Sequence, residues 1–174
     1  MQSTLDQEQK IEILDERVFG GRYLSFAMCG GEFGIEILKV REIMGFINVT
    51  PVPQTPGYIK GVINLRGKVI PVIDLRLKFG LQQANYTKET CIIVVDMKNM
   101  LTGIIVDSVS EVMAVGKEDF ESMPYFRNGV DTKYFLGMAK IKDKVKILLD
   151  IDRVFHSADI AMVEELFKQK ASGL

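Results

Sequence analysis

The sequence repeats itself, and this internal duplication restricts the possible folds more than any other feature. Residues 23–44 align without gaps with residues 92–113, and residues 57–79 align with residues 133–155. The two blocks follow each other in the same order in both halves, so an internal duplication explains them better than chance. The identical pairs are Met28 and Met97, Gly34 and Gly103, Ile35 and Ile104, Val40 and Val109, Glu42 and Glu111, Met44 and Met113, Tyr58 and Tyr134, Gly61 and Gly137, Lys68 and Lys144, Val69 and Val145, Asp74 and Asp150, and Phe79 and Phe155.

Short apolar runs, separated by glycine or polar residues, fill both halves. Residues 23–28, 33–37, 59–65 and 69–73 are examples in which β-branched and aliphatic side chains dominate. This pattern is typical of short strands in antiparallel barrels and sandwiches. The sequence therefore predicts a mainly β fold, made of two small β-barrels packed side by side.

Glycines mark the turns and irregularities of these predicted strands. The Gly30-Gly31 pair lies between two strand-like runs, where a tight hairpin requires positive φ. Gly61 and Gly137 interrupt strand patterns at matching positions. We therefore expect a β-bulge or a sharp corner at the same place in each half.

The two ends of the chain differ from the duplicated region. We expect residues 1–20 to form a polar arm, residues 21–155 to form a domain of two interleaved barrels, and residues 156–174 to form a helix and tail. Residues 116–133 are polar and predict a long loop. The helix prediction depends on Ser157 as N-cap and on an apolar stripe at helical spacing; the stripe consists of Ile160, Val163, Leu166 and Phe167.

The composition excludes several classes of function. The 174 residues carry a net charge of −1, which provides no basic surface for a nucleic-acid backbone. One histidine, His156, and two separated cysteines, Cys29 and Cys91, do not supply the ligand sets of transition-metal sites. No phosphate-binding loop is present, so we expect no cofactor. With no secretory signal and no apolar run of about 20 residues, we expect a cytoplasmic protein that does not insert into membranes.

No set of residues points to an enzyme. His156 lies just before the predicted C-terminal helix, where a solvated or packing histidine is the plainer interpretation, and it is assigned no role. Asp150 and Asp152 would share one face of a strand and are a conceivable acid–base pair. However, Asp150 repeats Asp74, and both follow an apolar strand. We therefore expect these carboxylates to cap the turns that come next.

Features that only one half contains are candidates for a specific role. The first half has the residues NLRG at 64–67 where the second half has KIKD at 140–143. Arg66 thus lies in a predicted hairpin turn, where its guanidinium could hold a partner's carboxylate or carbonyl groups, or could simply be solvated. Residues 50–56 contain three of the five prolines and predict a rigid connector. Residues 40–47 mix charges with large apolar side chains, which suits either a protein partner or core burial.

Three sequence motifs of the chain resemble those of a known family. The resemblance lies in VREIMGFINVTPVPQTPGYIKGVINLRGKVIPVIDLR, followed by GIIVDSVSEVM and ILLDIDRVF, and covers residues 23–155. These motifs are similar to those of CheW, the family of bacterial chemotaxis coupling proteins. The resemblance implies two SH3-like, five-stranded barrel subdomains. It also implies a non-catalytic adaptor that joins the cytoplasmic tips of chemoreceptors to the histidine kinase CheA, in arrays at the inner face of the membrane.

The resemblance further implies which residues bind each partner. Receptor binding is expected at Val40, Glu42, Lys60, Asn64, Arg66 and Gly67. Contact with the CheW-like regulatory domain of the kinase is expected at Ile43, Met44, Ile47 and Pro53. The alternative is a small-ligand-binding or enzymatic domain that uses the groove between the barrels. The scarcity of histidine, cysteine and phosphate-binding loops favours the adaptor.

Overall fold

The computed structural model describes residues 21–123, 132–154 and 165. The predicted polar arm, part of the predicted long loop, His156 and the residues on which the C-terminal helix prediction depends lie outside the described residues. The described strands are β1 Arg22–Met28, β2 Gly31–Glu36, β3 Val40–Gly45, β4 Ile59–Leu65, β5 Lys68–Asp74, β6 Cys91–Met97, β7 Met100–Val106, β8 Ser108–Ala114, β9 Phe120–Glu121, β10 Phe135–Ile141 and β11 Lys144–Leu149.

Short helical segments connect some of these strands. The described α-helices are α1 Leu75–Lys78 and α2 Ile151–Val154, and the described 3₁₀ turns are Ile37–Lys39, Lys117–Asp119 and Thr132–Tyr134. Each of the two α-helices has four residues, and the described part of the chain holds no helix with the length and hydropathy to cross a membrane.

Two sheets form the fold, which confirms the mainly β prediction. The first sheet has the strand order β8-β1-β2-β11-β10-β9, and the second has the order β3-β6-β7-β5-β4. Neighbouring strands are antiparallel except for β11 with β2 and β5 with β7. Within the described residues neither sheet closes into a complete barrel, so barrel closure is less complete than predicted. Only the second sheet has the expected five strands, because β9 adds a sixth to the first.

The duplication is visible in the arrangement of both sheets. Strands β1, β2 and β3 correspond in the repeat to β6, β7 and β8, and β4 and β5 correspond to β10 and β11. Replacing each strand of the second sheet by its counterpart turns β3-β6-β7-β5-β4 into β8-β1-β2-β11-β10, which is the order of the first sheet. The β1–β2 and β6–β7 hairpins are exchanged, so each sheet combines strands from both halves of the chain.

Tight turns join the hairpins of both halves. Each of the four hairpin turns has two consecutive residues with positive φ, the geometry that matches the twist of the flanking strands. In the first hairpin these residues are Cys29 (φ 53°) and Gly30 (φ 76°), and Gly31 already belongs to β2. The predicted Gly30-Gly31 turn was therefore wrong by one residue, because the first left-handed position of this turn is taken by a residue other than glycine, as it is in the other three turns.

The predicted irregularities at two matching glycines are confirmed. The pairing register shifts between Ile59 and Gly61, and again between Phe135 and Gly137. Gly61 has φ 142°, and a Cβ atom there would lie 1.9 Å from the carbonyl oxygen of Thr50. This close approach of two backbone segments requires glycine.

Three groups of buried apolar residues hold the sheets together. Side chains alternate along β6, so Ile92 and Val94 pack within the second sheet while Ile93 and Val95 join a core shared by both sheets. Burial on both faces explains why residues 92–95 form an uninterrupted apolar run. The second-sheet core consists of Ile63, Ile70, Val72, Ile92, Val94 and Ile105, and the first-sheet core consists of Tyr23, Met113, Val115, Ala139 and Leu148.

Candidate protein-interaction site

Arg66 lies at the tip of the β4–β5 hairpin, as the sequence predicts. Its φ is 51° and that of Gly67 is 82°, so the two residues form the turn. The Gly67 amide donates a hydrogen bond of 2.9 Å to Oδ1 of Asn64, which fixes the turn from one side. The Arg66 side chain is 80% exposed. The NLRG segment therefore presents a guanidinium to solvent on a well-defined backbone.

The Arg66 guanidinium is oriented by a glutamate from a different strand. Nη2 of Arg66 donates to Oε1 of Glu42 over 3.1 Å, and the Glu42 side chain is only 28% exposed. Glu42 lies on β3 and Arg66 follows β4, which are the two edge strands of the second sheet. This side-chain contact therefore joins the two edges of the sheet without pairing β3 with β4, and Thr50 bridges to β4 by exchanging two backbone hydrogen bonds of 2.9 Å with Val62.

The other predicted receptor residues fall at two places. Val40 begins β3, two residues before Glu42, and packs half-buried against the shared core. Lys60 lies near the start of β4, where its ammonium donates to Oε1 of Gln83 over 2.8 Å. At about 3.3 Å per residue, Lys60 lies nearly 20 Å along the strand from Arg66. The structure thus brings together Glu42, Asn64, Arg66 and Gly67, whereas Val40 packs against the shared core beyond a register shift in β3, and Lys60 lies far along β4.

The predicted kinase residues divide by exposure. Ile43 and Ile47 are 44% and 43% exposed, and Pro53 is also exposed. Met44 instead packs half-buried against the second-sheet core, because neighbouring residues of a strand point to opposite faces. The described structure therefore offers Ile43, Ile47 and Pro53 for contact, while Met44 belongs to the apolar interior of the second sheet.

A pocket beside this surface involves a residue that the sequence analysis did not single out. The ring of Tyr86 lies 4.4 Å from that of Phe46, and its hydroxyl donates to Oδ2 of Asp74 over 2.8 Å. Burial, reinforced by this hydrogen bond, raises the pKa of Tyr86 well above its usual range. The pocket, here called the mouth pocket, has a volume of about 430 Å³ and is lined by Phe46, Asn48, Val49, Pro51, Val52, Gly57, Ile59, Lys60, Tyr86 and Ile105.

The predicted capping role of two aspartates is visible in both halves. Oδ1 of Asp74 accepts a hydrogen bond of 3.0 Å from the amide of Arg76, and Oδ1 of Asp150 accepts one of 3.2 Å from the amide of Asp152. Asp74 is 1% exposed and also accepts the Tyr86 hydroxyl. These contacts stabilise α1 and α2, and the described residues contain no group of three or more acidic, histidine or cysteine side chains placed to hold a metal ion.

The similarity to known proteins assigns the chain to a family. Residues 22–159 match the family described as the CheW-like domain. The chain belongs to this CheW-like family. It is 39% identical over 149 residues to chemotaxis protein CheW of Klebsiella aerogenes, which covers 86% of this chain and 90% of that protein. It is 36% identical over 132 residues to chemotaxis protein CheW of Bacillus subtilis, covering 76% and 83% of the two chains.

A solved structure agrees with this assignment. The scaffolding protein TtCheW from Thermoanaerobacter tengcongensis superposes with a TM-score of 0.73 at 34% identity, and the match covers 80% of this chain and 94% of that one. The predicted family and the mainly β fold are thereby confirmed. As a member of the CheW-like family, the chain is a chemotaxis adaptor and not an enzyme.

Two ion pairs of this CheW-like domain involve segments in which the chain passes from one sheet to the other. Lys39, in the turn between β2 and β3, lies 2.9 Å from Oδ2 of Asp152 on α2. Asp107, between β7 and β8, accepts hydrogen bonds of 2.8 and 2.5 Å from Nε and Nη2 of Arg76 on α1. Arg76 and Asp152 occupy equivalent positions of the repeat, so the two halves use opposite charges for the same purpose.

We expect Asp107→Asn to destabilise the domain at neutral pH. The hydrogen bond from Arg76, more than any other interaction, holds the pKa of Asp107 below its usual range. A carboxyl whose pKa is depressed in the folded state stabilises that state above the unfolded pKa, and this contribution is lost as the pH falls through the folded pKa. Urea unfolding at pH 7 should therefore show a loss of about 1–2 kcal/mol, which shrinks below about pH 4.

Asp96→Asn is the matched control for this measurement. Asp96 pairs with Arg41 over 3.1 Å, but the Arg41 side chain is 52% exposed, so the loss should be only a few tenths of a kcal/mol. Equal losses in the two variants, or a loss in Asp107→Asn that persists unchanged in acid, would contradict the assigned role of the Arg76–Asp107 pair.

Proposed function

We propose that the chain couples chemoreceptors to the histidine kinase CheA by binding both proteins at once. Receptor tips bind around Arg66, Glu42, Asn64 and Gly67, and the regulatory domain of the kinase binds the exposed side of β3 and the connector that follows. The observation that carries this proposal is the exposed Arg66 guanidinium, oriented by Glu42 on a hairpin tip whose NLRG sequence is replaced by KIKD in the matching hairpin of the second half.

The receptor side of the proposal depends on the donors of Arg66. A guanidinium carries five N–H donors in a planar fork, and such a fork suits carboxylates and the free carbonyl groups at helix ends. Glu42 accepts from Nη2 and so orients the fork without covering it, since the side chain stays 80% exposed. Val40 begins the same edge strand but packs half-buried against the shared core, so the free donors of Arg66 carry the receptor side of the proposal.

The kinase side depends on exposed apolar groups. Ile43 and Ile47 are exposed on one segment of chain, and exposed Pro53 continues the surface on the proline-rich connector. An aliphatic surface beside charged Arg41 resembles the apolar centre and polar rim of protein interfaces. Both proposed surfaces include residues of β3, so this one strand would contact both partners. The complex assembles at the cytoplasmic face of the membrane, where receptor tips lie.

Reconstitution from purified components tests this function. The full chain is immobilised and incubated with CheA or with a receptor cytoplasmic fragment, and each should be retained by itself. With all three present, the rate of kinase autophosphorylation should rise at least about 10-fold above that of kinase and receptor fragment without the chain. Retention of neither partner, or a kinase rate independent of the chain, would overturn the proposal.

A further inference from the structure

The mouth pocket has the features of a ligand site that the adaptor role does not require. Its floor is the buried side chains of Ile59 and Ile105, and the paired rings of Phe46 and Tyr86 form a wall. Its volume of about 430 Å³ falls within the range of small-molecule sites, which often occur at the mouths of barrel-like sheets. One cationic group, Lys60, lies at its edge.

The duplication shows which residue of the first sheet corresponds to Val49, one of the residues that line the mouth pocket. Thr50 pairs with Val62, and Glu121 pairs with Met138, which is the repeat counterpart of Val62. The residues that precede them, Val49 and Phe120, therefore occupy equivalent places.

The side chains at these two places differ in size. The Phe120 ring packs on the first-sheet core and lies so close to Gly137 that a Cβ atom added to this glycine would meet the ring at 2.5 Å. Val49 packs on the second-sheet core, and the space beside Gly61 is filled by the Thr50 carbonyl group and Pro51 instead. The second sheet thus has a short aliphatic side chain where the first sheet has an aromatic ring, and this short side chain, Val49, lines the mouth pocket.

We propose that the mouth pocket binds a small aromatic carboxylate. The ligand's ring packs on the aliphatic floor and against the wall formed by Phe46 and Tyr86, where offset or edge-to-face contacts with these side chains are available. The carboxylate lies at Lys60. Among the described residues, the Lys60 ammonium donates to the neutral amide oxygen of Gln83, so an anionic ligand would be a stronger acceptor than the present one.

The test uses 3-phenylpropionate and its neutral analogue 3-phenylpropan-1-ol as probes on the full chain. Each is titrated into ¹⁵N-labelled protein, and amide shifts are followed by NMR. We expect shifts at Val49, Val52 and Tyr86 with a Kd of about 1 mM for the carboxylate, which is ordinary for so small a ligand. The alcohol should bind about 5-fold more weakly. Val49→Phe, which copies Phe120 into the second sheet, should weaken the carboxylate at least 10-fold.

Lys60→Met tests the binding of the carboxylate separately from the binding of the ring. It should abolish the difference in affinity between 3-phenylpropionate and the alcohol, while the affinity for the alcohol stays unchanged. If Val49→Phe fails to fold, Lys60→Met provides the test of the proposal. The proposal is overturned if neither probe shifts the pocket amides, if both bind the wild type equally, or if folded Val49→Phe binds as the wild type does. It is also overturned if the probes fail while Val49→Phe weakens kinase retention, because the occupant is then a partner's side chain.

Discussion

Gly61→Ala should lower the free energy of unfolding by about 3–5 kcal/mol. The new methyl group would lie 1.9 Å from the oxygen and 2.6 Å from the carbon of the Thr50 carbonyl, at a φ of 142° that alanine rarely adopts. Both obstacles are backbone, so neither can be relieved by a side-chain rotation. The connector would have to move away from β4, which would break the two hydrogen bonds between Thr50 and Val62. Urea unfolding followed by circular dichroism measures the loss.

Gly80→Ala is the matched control for the backbone effect. Gly80 also has positive φ, at 75°, but a methyl group there would meet no atom within 4 Å, so only about 1 kcal/mol should be lost. Gly137→Ala should fall between the two, because the Phe120 ring at 2.5 Å can shift and the backbone oxygen of Glu121 lies 2.8 Å away, compared with 1.9 Å for that of Thr50 at Gly61. Equal losses at Gly61 and Gly80 would contradict the close approach of the connector to β4.

Local features of the fold could be predicted from the sequence, whereas the strand pairing could not. A bulge at Gly61 and a turn at Arg66 depend on a few neighbouring residues, and both predictions are confirmed. The exchange of the β1–β2 and β6–β7 hairpins depends instead on which strands meet across the whole chain. Alternating apolar residues identify a strand but not its partner, so the apolar pattern by itself does not specify which strands pair within the two interleaved barrels that we expected.

In the candidate site, too, local features could be predicted from the sequence, whereas contacts between distant segments could not. The exposure of Arg66 follows from its place in a turn, but its contact with Glu42 joins opposite edges of a sheet and has no local signal. Tyr86 was missed because its partner Asp74 lies in another segment, although a single aromatic residue in a polar loop was a usable hint. By contrast, the inward direction of Met44 follows from strand alternation next to outward Ile43 and could have been predicted.

Arg66→Ala should leave the fold intact and reduce receptor-dependent activation of CheA by at least about 10-fold. The Arg66–Glu42 pair is exposed on the arginine side, so its loss should cost less than about 1 kcal/mol of stability. In the complex, however, removal of a guanidinium that binds carboxylate or carbonyl oxygens leaves those acceptors without a partner, which typically costs 10-fold or more in affinity. Thermal unfolding measures the first effect, and the rate of kinase autophosphorylation with receptor fragment measures the second.

Lys142→Ala is a closely matched control, because Lys142 occupies the equivalent turn position of β10–β11 with the same φ of 51°. Both variants remove an exposed cation from a left-handed turn residue, so backbone strain and net charge change equally, and only Arg66→Ala should lose activation. Arg66→Lys keeps the charge but not the planar fork, and should recover only part of the activity. If the two alanine variants activate the kinase equally, the asymmetry between the hairpins has no role in coupling, and the receptor surface must lie elsewhere on the domain.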